Sequence, residues 1–222
     1  MSYSVAIDGP AGAGKSTIAR QLARETGFIY VDTGAMYRAM AVHFLRQRIA
    51  PQEEDRIAQA CKEADVTIVY EEGAQQVLLN GENVTGLLRT EEVGNMASLS
   101  SVYPAVRMKL VELQRKLAEA SDVIMDGRDI GTYVLPEADV KVYLTASSAC
   151  RAKRRYEELR EKGALGNMTL EEIQADIEER DYRDMHREFA PLRQAEDAVL
   201  VDSSHMTVRQ VTDTIRSLIH PR

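Results

Sequence analysis

The sequence predicts an α/β fold in which a parallel sheet is flanked by helices. Short apolar runs alternate along the chain with segments of helical periodicity, the pattern of strands joined by crossover helices. The first run, residues 3–7, is followed by a glycine-rich loop and then by a helix-like segment, Lys15–Thr26. With 222 residues, the chain is long enough for one sizeable core and an inserted subdomain.

Further apolar runs and periodic segments extend this pattern to the end of the chain. Strands of the same sheet are predicted at residues 28–31, 123–125, 140–144 and 198–201. Helices are predicted at residues 35–47 and 208–219, the first of which has apolar positions at Met36, Met40 and Phe44.

One stretch interrupts the alternation with antiparallel β structure. Residues 66–70 and 76–79 have the composition of strands, and Asn80-Gly81 is a typical tight hairpin turn before residues 82–84. We interpret this stretch and its flanking helices as a lobe inserted at about residues 49–103. Residues 1–48 and 104–222 would then form the core of a single domain.

Composition excludes several classes of protein. The net charge of −7 argues against a general nucleic-acid binder, which needs a basic surface. No apolar run approaches the roughly 18 residues that span a bilayer. Cys61 and Cys150 lack the spacing of metal ligands, so we interpret them as free thiols and expect a cytoplasmic protein. Because no apolar run is long enough to span a bilayer, we expect no membrane partner.

A phosphate-binding loop is the strongest motif in the chain. It matches G-x-x-x-x-G-K-S/T between a buried strand and a helix, the context that the motif requires. Its glycines let backbone N–H groups converge on phosphate oxygens, and the helix N-terminus adds partial positive charge. Lys15 is expected to reach the outer phosphates of ATP, and the Ser16 hydroxyl to ligate Mg²⁺. The predicted ATP-binding residues are Gly9, Pro10, Ala11, Gly12, Ala13, Gly14, Lys15, Ser16 and Thr17.

Other interpretations of this loop fit less well. A chance match would not explain the strand and helix on either side. A dinucleotide-binding loop would carry a third glycine at Thr17 and would give Lys15 no role. Since GTPases, motor ATPases and small-molecule kinases all use the motif, it leaves the reaction open. The chain contains no N-K-x-D segment of the kind with which GTPases recognise guanine.

Two acidic segments follow predicted strands. Asp32 begins the segment D-T-G-A-M-Y-R after residues 28–31, and Asp126 begins D-G-R-D-I-G-T after residues 123–125. Ligands of open α/β sheets bind at the carboxyl ends of strands, so both segments are candidates for a cleft. Asp and Gly are also ordinary turn residues, and either segment alone would fit a simple turn equally well.

Together these motifs resemble bacterial cytidylate kinases over nearly the whole chain. The resemblance rests on the phosphate loop, the segments beginning at Asp32 and Asp126, the run R-T-E-E-V from Arg89, and E-R-D-x-R-D from Glu179 through Pro191-Leu192, in this order. It implies a P-loop NTPase fold with an inserted lobe that binds the nucleoside monophosphate, and a short lid within about residues 151–168.

The resemblance implies a set of acceptor-binding residues. Thr33, where many family members carry Ser, and Tyr37 would contact the acceptor, with Asp32 beside them. Ser98, Arg107 and Asp129 would recognise cytosine, whose exocyclic amine is a donor that suits a carboxylate.

A second set would bind the acceptor's sugar and the phosphates. The resemblance assigns the ribose hydroxyls to Asp184 and phosphates to Arg128, Arg180 and Arg187. On a helix, the spacing of Arg180, Asp184 and Arg187 would put all three on one face. By itself this spacing favours a solvated, salt-bridged face.

Basic residues crowd the start of the helix predicted after residues 140–144. Arg151, Lys153, Arg154 and Arg155 would oppose the helix dipole there, which indicates an anionic partner. The resemblance makes this region the lid over ATP, and Arg154 is our candidate within it. A solvated basic stretch is an equally good interpretation of the other members.

The implied reaction is phosphoryl transfer from ATP to CMP or dCMP. Catalysis would consist of positioning and charge stabilisation by Lys15, Arg128, Arg180 and Mg²⁺, with Asp32 and Asp126 organising the ion and its waters. We expect a monomer whose partners are these nucleotides. Two alternatives stay open: a kinase for another small acceptor, and a nucleotide-dependent switch without acceptor chemistry.

Overall fold

The computed structural model describes residues 2–220. The chain forms two compact units. The first contains Tyr30–Ser121 together with Ser2, and the second contains Tyr3–Ile29 and the chain from Asp122 onward. The predicted insert at about residues 49–103 lies within the first unit.

The main sheet is formed by five strands in the order β2-β6-β1-β7-β8. Its strands are β1 (Ser4–Asp8), β2 (Ile29–Asp32), β6 (Val123–Gly127), β7 (Val140–Thr145) and β8 (Val199–Asp202). β1 runs parallel to β6 and to β7, and β7 runs parallel to β8. β1 is buried almost throughout because it is a central strand covered on both faces. The predicted parallel sheet is thus confirmed.

Four α-helices and a short π-helix, Ile130–Val134, belong to the described part of the second unit. The α-helices are α1 (Lys15–Thr26), α6 (Ser148–Glu161), α7 (Leu170–His186) and α8 (Val208–Arg216). α1 packs on β6 and α8, and α6 packs along α7. Thr169 and Thr207 begin α7 and α8 with complete capping boxes, so both helix starts are set by local sequence.

The described part of the first unit contains a small antiparallel sheet, four α-helices and a short 3-10 helix, Thr85–Leu87. The sheet has the order β3-β4-β5, formed by β3 (Val66–Glu71), β4 (Ala74–Leu79) and β5 (Glu82–Asn83). The helices are α2 (Thr33–Arg46), α3 (Glu54–Glu63), α4 (Glu91–Ser100) and α5 (Pro104–Ala120). The predicted hairpin turn is confirmed: Asn80 and Gly81 both have positive φ, 51° and 82°, as a type I′ turn requires.

The predicted elements agree closely with the observed ones. α1 has the predicted bounds, and each predicted strand of the main sheet is displaced or extended by one or two residues at most. α8 is an exception because it ends at Arg216, three residues before the predicted end. No helix within residues 2–220 is long and apolar enough to cross a bilayer.

Gly9, the first residue after β1, lets the chain pass very close to the backbone of β7. Its φ is +146°, and a Cβ at this position would lie 1.9 Å from the carbonyl oxygen of Leu144. No flexible side chain is involved in this contact, so the collision could be relieved only by moving a strand. Gly27, which ends α1, also has a positive φ of 77°, but a Cβ there would meet nothing within 4 Å.

These two glycines provide a matched comparison. We expect Gly27→Ala to lower the free energy of unfolding by about 1 kcal/mol, the cost of a left-handed conformation for an L-residue. Gly9→Ala should cost more than about 3 kcal/mol because it adds a backbone collision to that strain. Urea denaturation of both variants measures the difference. Equal losses in the two variants would show that the approach of Gly9 to Leu144 is not a tight constraint.

Candidate active site

The phosphate loop joins β1 to α1 as the sequence predicts. Gly14 is the N-cap of α1, with φ 92°, and the first turn of the helix contains no acidic residue. By contrast, the side chains of Asp32 and Thr169 cap the N-termini of α2 and α7. The N-terminal N–H groups of α1 therefore lack a side-chain acceptor and are suited to an anion.

Lys15 is buried at the start of α1. Its side chain turns back over the loop, and Nζ donates to the carbonyl oxygen of Pro10 at 2.7 Å. Burial and then the Arg128 guanidinium lower the pKa of Lys15 to about 7, against the opposing effect of the Asp126 and Asp8 carboxylates. Lys15 thus belongs to a buried group of charges at the carboxyl ends of β1 and β6.

Asp8, the last residue of β1, is the carboxylate nearest to the loop in sequence. Oδ1 accepts from the backbone N–H of Ile130 at 2.8 Å, and Oδ2 accepts from that of Gly131 at 2.7 Å. Burial raises the pKa of Asp8 to about 6, although both backbone hydrogen bonds act in the opposite direction. Asp8 therefore binds the segment that follows β6 directly to the strand that leads into the phosphate loop.

The segment after β6 meets α7 through buried ion pairs. Arg128 Nε donates to Asp184 Oδ2 at 2.8 Å. Arg187 Nη2 lies 3.5 Å from Asp129 Oδ1, and its Nη1 lies 4.0 Å from Asp184 Oδ1. Burial alone would raise the pKa of Asp184, but the charges of Arg128, Arg180 and Arg187 outweigh it and lower that pKa. The sequence-predicted residues Arg128, Asp129, Asp184 and Arg187 thus form one cluster.

The prediction that Arg187 lies on the same helix as Arg180 and Asp184 needs a correction. α7 ends at His186, and Arg187 is its C-cap, in an extended conformation with φ −64° and ψ 143°. Arg187 Nε donates to the carbonyl oxygen of Ala190 at 2.7 Å, which holds the side chain as the chain turns away from the helix. The residue still reaches Asp129 and Asp184, but through this turn rather than through helical spacing.

Two arginines of the predicted lid region have well-defined partners. Arg151 is buried: it donates to the carbonyl oxygen of Ala11 at 2.9 Å and pairs with Asp181 at 2.6 Å. Arg154, our predicted ATP ligand, donates to the backbone oxygen of Ser203 at 2.7 Å and to its hydroxyl at 3.2 Å. Arg151 therefore ties the phosphate loop to α6 and α7, and Arg154 ties α6 to the chain after β8.

In the first unit, Asp32 organises the start of α2. Oδ1 accepts from the N–H of Ala35 at 2.9 Å and lies 3.5 Å from Arg38 Nη2, while Oδ2 lies 3.0 Å from Arg89 Nη2. Gln75 of β4 fixes the backbone of Asp32, accepting from its N–H at 2.8 Å and donating to its carbonyl oxygen at 3.3 Å. Asp32 therefore positions two arginines.

The other predicted acceptor-binding residues of this unit lie on three helices. Thr33 and Tyr37 belong to α2, which packs on α4 and α5, the helices that carry Ser98 and Arg107. The Arg107 guanidinium lies over the Tyr37 ring, 5.5 Å from its centroid. Arg107 is buried, with 1% of the residue exposed. Arg107 Nη1 also donates to the carbonyl oxygen of Ser101 at 3.1 Å, so its position is well determined.

Sequence reasoning assigned no roles to Asp8, Arg38 or Arg89, and it placed Arg151 only within the basic stretch of the predicted lid. A signal existed for Asp8, because a single carboxylate follows the apolar run Val5-Ala6-Ile7 immediately before the phosphate loop. Arg38 and Arg89 belong to the motifs D-T-G-A-M-Y-R and R-T-E-E-V. Their shared pairing with Asp32 gave no local signal, because it depends on contacts between α2 and a distant part of the chain.

Comparisons with known proteins agree with the motifs. The family model of cytidylate kinases matches residues 5–221. The chain is 48% identical over 221 residues to a cytidylate kinase of Desulfitobacterium hafniense (strain Y51), covering 100% of this chain and 94% of the relative. It is 47% identical over 217 residues to a cytidylate kinase of Caldicellulosiruptor saccharolyticus, covering 98% and 95%.

One solved structure supports the fold independently of sequence. An uncharacterized protein from Eubacterium ventriosum ATCC 27560 superposes with a TM-score of 0.55 over 99% of both chains, at 14% identity. At this identity the likeness concerns the fold alone.

The burial of Asp8 predicts that folding stability depends on pH. Because its pKa is higher in the folded chain than the ordinary 3.8, the folded state holds the proton more tightly than the unfolded state, and stability from this group falls as pH rises from about 4 to about 6. Asp8→Asn removes that loss. Between pH 4.5 and pH 7.5, the free energy of unfolding of the variant should rise relative to that of the wild type by about 2 kcal/mol.

Urea denaturation of both proteins at the two pH values measures this change. Titrating groups that do not interact with Asp8 cancel in the difference; Lys15, whose pKa the Asp8 carboxylate raises, is the exception. A difference that does not vary with pH would show that Asp8 keeps an ordinary pKa in the folded chain.

Proposed function

Because the chain belongs to the cytidylate kinase family and is a phosphotransferase, we propose that it transfers the γ-phosphoryl group of ATP to CMP and dCMP, forming CDP and dCDP. The observation that carries this proposal is the buried Lys15 at the uncapped N-terminus of α1, in a chain that matches cytidylate kinases over its full length. The proposal extends the family assignment to the donor, the metal and the deoxy acceptor.

The donor side of the reaction is assigned to the second unit. We assign the phosphates of ATP to the backbone N–H groups of residues 9–17 and to Lys15, with the Arg154 guanidinium as a further phosphate ligand. A cation at the outer phosphates stabilises the charge that moves from the γ-phosphate to the β–γ bridging oxygen. The Lys15 ammonium lies at this loop, where it donates to the carbonyl oxygen of Pro10.

The residues around the loop fit Mg²⁺. Ser16 offers a hydroxyl and Asp126 a carboxylate, both oxygen ligands of the kind that Mg²⁺ prefers, and Mg²⁺ commonly keeps waters and nucleotide phosphates as its other ligands. Asp32 fits less well, because Ala35, Arg38 and Arg89 already use its two oxygens. We therefore assign Mg²⁺ to Ser16, with Asp126 organising its waters. The ion would neutralise phosphate charge in the transition state.

Cytosine recognition is assigned to three residues. In the second unit, the Asp129 carboxylate would accept from the exocyclic amine. In the first unit, Arg107 would donate to the ring acceptors, with Ser98 as a further contact. Asp129 and Arg107 are 4% and 1% exposed, so each would bind the base with little competition from water.

The sugar and phosphate of the acceptor are assigned to charged side chains. Asp184 would accept from the ribose hydroxyls, and Arg128, Arg180 and Arg187 would bind phosphate oxygens. In the first unit, Thr33, Tyr37 and Arg38 are the candidates for the acceptor, and Arg38 is paired with the Asp32 carboxylate.

The chemistry requires positioning more than proton transfer. An oxygen of the acceptor phosphate attacks the γ-phosphorus of ATP in line, and the bond from that phosphorus to the β–γ bridging oxygen breaks, leaving ADP. The attacking oxygen is already anionic, so no strong general base is needed. The arginines and Lys15 stabilise the charge on the transferring group.

We further propose that the chain acts as a monomer in the cytoplasm. The two cysteines are free, with Cys61 buried and Cys150 half-buried, which supports a reducing compartment. The division into a core, an inserted lobe at about residues 49–103 and a lid at about residues 151–168 remains part of this proposal.

Lys15→Ala should lower kcat for CMP phosphorylation by at least about 100-fold, because it removes a charge that acts on the transferring group. Lys116→Ala is the matched control, since Lys116 is an exposed lysine paired with Glu112; its kcat should stay within about twofold of wild type. Steady-state ADP formation measures both, and circular dichroism checks folding. A folded Lys15→Ala variant with near-normal turnover would remove Lys15 from the reaction.

Base discrimination provides the second test. CMP should exceed UMP in kcat/KM, by up to ~10⁴ for a closed site built around a polar pair. In Asp129→Asn the ratio should fall, because an amide can also turn its NH₂ toward the uracil carbonyl. The charge-assisted bond to cytosine, worth roughly 1.5–3 kcal/mol, is lost as well.

Two control variants sharpen this measurement. Arg107→Ala should lower kcat/KM for both pyrimidines and change the ratio less, since both bases offer a ring carbonyl. Asp213→Asn, an exposed carboxylate on α8 beside Arg209, should leave the ratio unchanged. A wild type without preference, or an unchanged ratio in Asp129→Asn, would contradict the assignment of Asp129 to the base.

A further inference from the structure

The Asp8 carboxylate connects two parts of the second unit that the proposed reaction uses differently. On its C-terminal side the chain enters the phosphate loop at Gly9, which binds the donor. Across the sheet, its two oxygens accept from the N–H groups of Ile130 and Gly131. These amides directly follow Arg128 and Asp129, which are assigned to the acceptor.

The contact has the geometry of a two-point clamp. Each carboxylate oxygen takes one of two consecutive N–H groups, at 2.8 and 2.7 Å, and Asp8 is 5% exposed, so water has little access. Two hydrogen bonds to neighbouring amides fix the orientation of the peptide as well as its distance. The backbone from which the Asp129 side chain projects is therefore set by Asp8.

Gly131 fits this clamp because it has no side chain. A Cβ there would lie 3.2 Å from Cγ and Cδ of Lys141 and 3.4 Å from Asp8 Oδ2. Lys141 has little freedom to move away, since its ammonium is held by both oxygens of Asp197 at 3.0 and 2.7 Å. The segment is thus confined between Asp8 on one side and the Lys141 stem on the other.

Only an ionised carboxylate satisfies both amides equally. Asn has nearly the same shape, but its NH₂ group would point a donor at another donor. The chain also keeps the carboxylate despite an unfavourable position, because burial raises the pKa of Asp8 toward neutrality. A residue needed only for packing at this site would be better replaced by a neutral one.

We propose that Asp8 is a positioning residue for acceptor recognition: by clamping the N–H groups of Ile130 and Gly131, it holds Arg128 and Asp129 in register with the phosphate loop. The proposal rests on the proposed function, in which Asp129 binds cytosine and Arg128 binds phosphate. Asp8 itself touches neither nucleotide and acts through the segment it holds.

Asp8→Asn tests the clamp by kinetics. KM for CMP should rise about 10-fold or more, because small displacements of a binding group have large effects. The CMP/UMP ratio of kcat/KM should fall together with it. KM for ATP should stay within about twofold, since the loop keeps Gly9, Lys15 and the Arg151 contact to Ala11.

Two further variants separate positioning from general damage. Gly131→Ala leaves the carboxylate intact but brings a Cβ to 3.2 Å from the Lys141 stem, which forces the segment or that stem to shift, so KM for CMP should rise in the same direction. Asp122→Asn is the matched control: its carboxylate also accepts a backbone N–H, that of Tyr3 at 2.6 Å, at the opposite end of the sheet. That variant should leave both KM values unchanged.

The outcomes distinguish the clamp from a structural role. An unchanged KM for CMP in a folded Asp8→Asn variant, or equal increases for ATP and CMP, would overturn the proposal. If the wild type does not phosphorylate CMP, the proposed function fails by itself, and amide hydrogen exchange then decides the clamp. Exchange at Ile130 and Gly131 should be about 10-fold or more faster in Asp8→Asn, and unchanged exchange would overturn it.

Discussion

The organisation of the second unit depends on burying charge at the carboxyl end of a central strand. In β1 the apolar residues Val5, Ala6 and Ile7 lead to a buried charge at the last residue, Asp8, and the next charged residue, Lys15, is also buried. Buried charges are tolerated only when other charges or hydrogen bonds compensate them. The neighbouring β6 supplies Asp126 and Arg128 at the same edge of the sheet, and α7 supplies Asp184.

This constraint explains why the site is assembled from distant segments. Arg128 and Asp184 are separated by 56 positions, and Asp8 and Gly131 by 123, yet each pair forms a short hydrogen bond. The parallel register of β1 and β6 places Asp8 opposite Gly127, so the residues that follow β6 come within reach of the strand end. Sheet register is thus the means by which donor-binding and acceptor-binding residues of this unit are held together.

Most of the fold was predictable because it depends on local patterns. Apolar runs located the strands of the main sheet, and the spacing of Met36, Met40 and Phe44 located α2, whose buried face contains all three. Asn80-Gly81 located one hairpin turn because these residues adopt positive φ at low cost. The turn between β3 and β4 has the same conformation at Glu72 and Gly73, with φ of 51° and 76°, but glutamate is not typical of that position and gave no signal.

The site was predictable only in part. The phosphate loop is a continuous motif, so its residues and its helix were identified directly. The clamp at Asp8, the pairing of Arg151 with Asp181, and the two arginines on Asp32 depend on tertiary contacts that no local pattern specifies. Arg187 shows the same limit, because helical spacing predicted a shared face, whereas the residue reaches Asp129 from a turn after the helix end.

The most direct test of the account is acceptor selectivity across both base classes and both sugars. Initial rates of ADP formation from ATP and Mg²⁺ would be measured with CMP, dCMP, UMP, AMP and GMP, and compared with the rate without acceptor. Cytosine recognition by Asp129 and Arg107 predicts the highest kcat/KM for CMP and dCMP, with purine nucleotides near the background rate. A higher value for another acceptor would contradict cytosine recognition, and slow hydrolysis independent of every acceptor would indicate a nucleotide-dependent switch instead of a kinase.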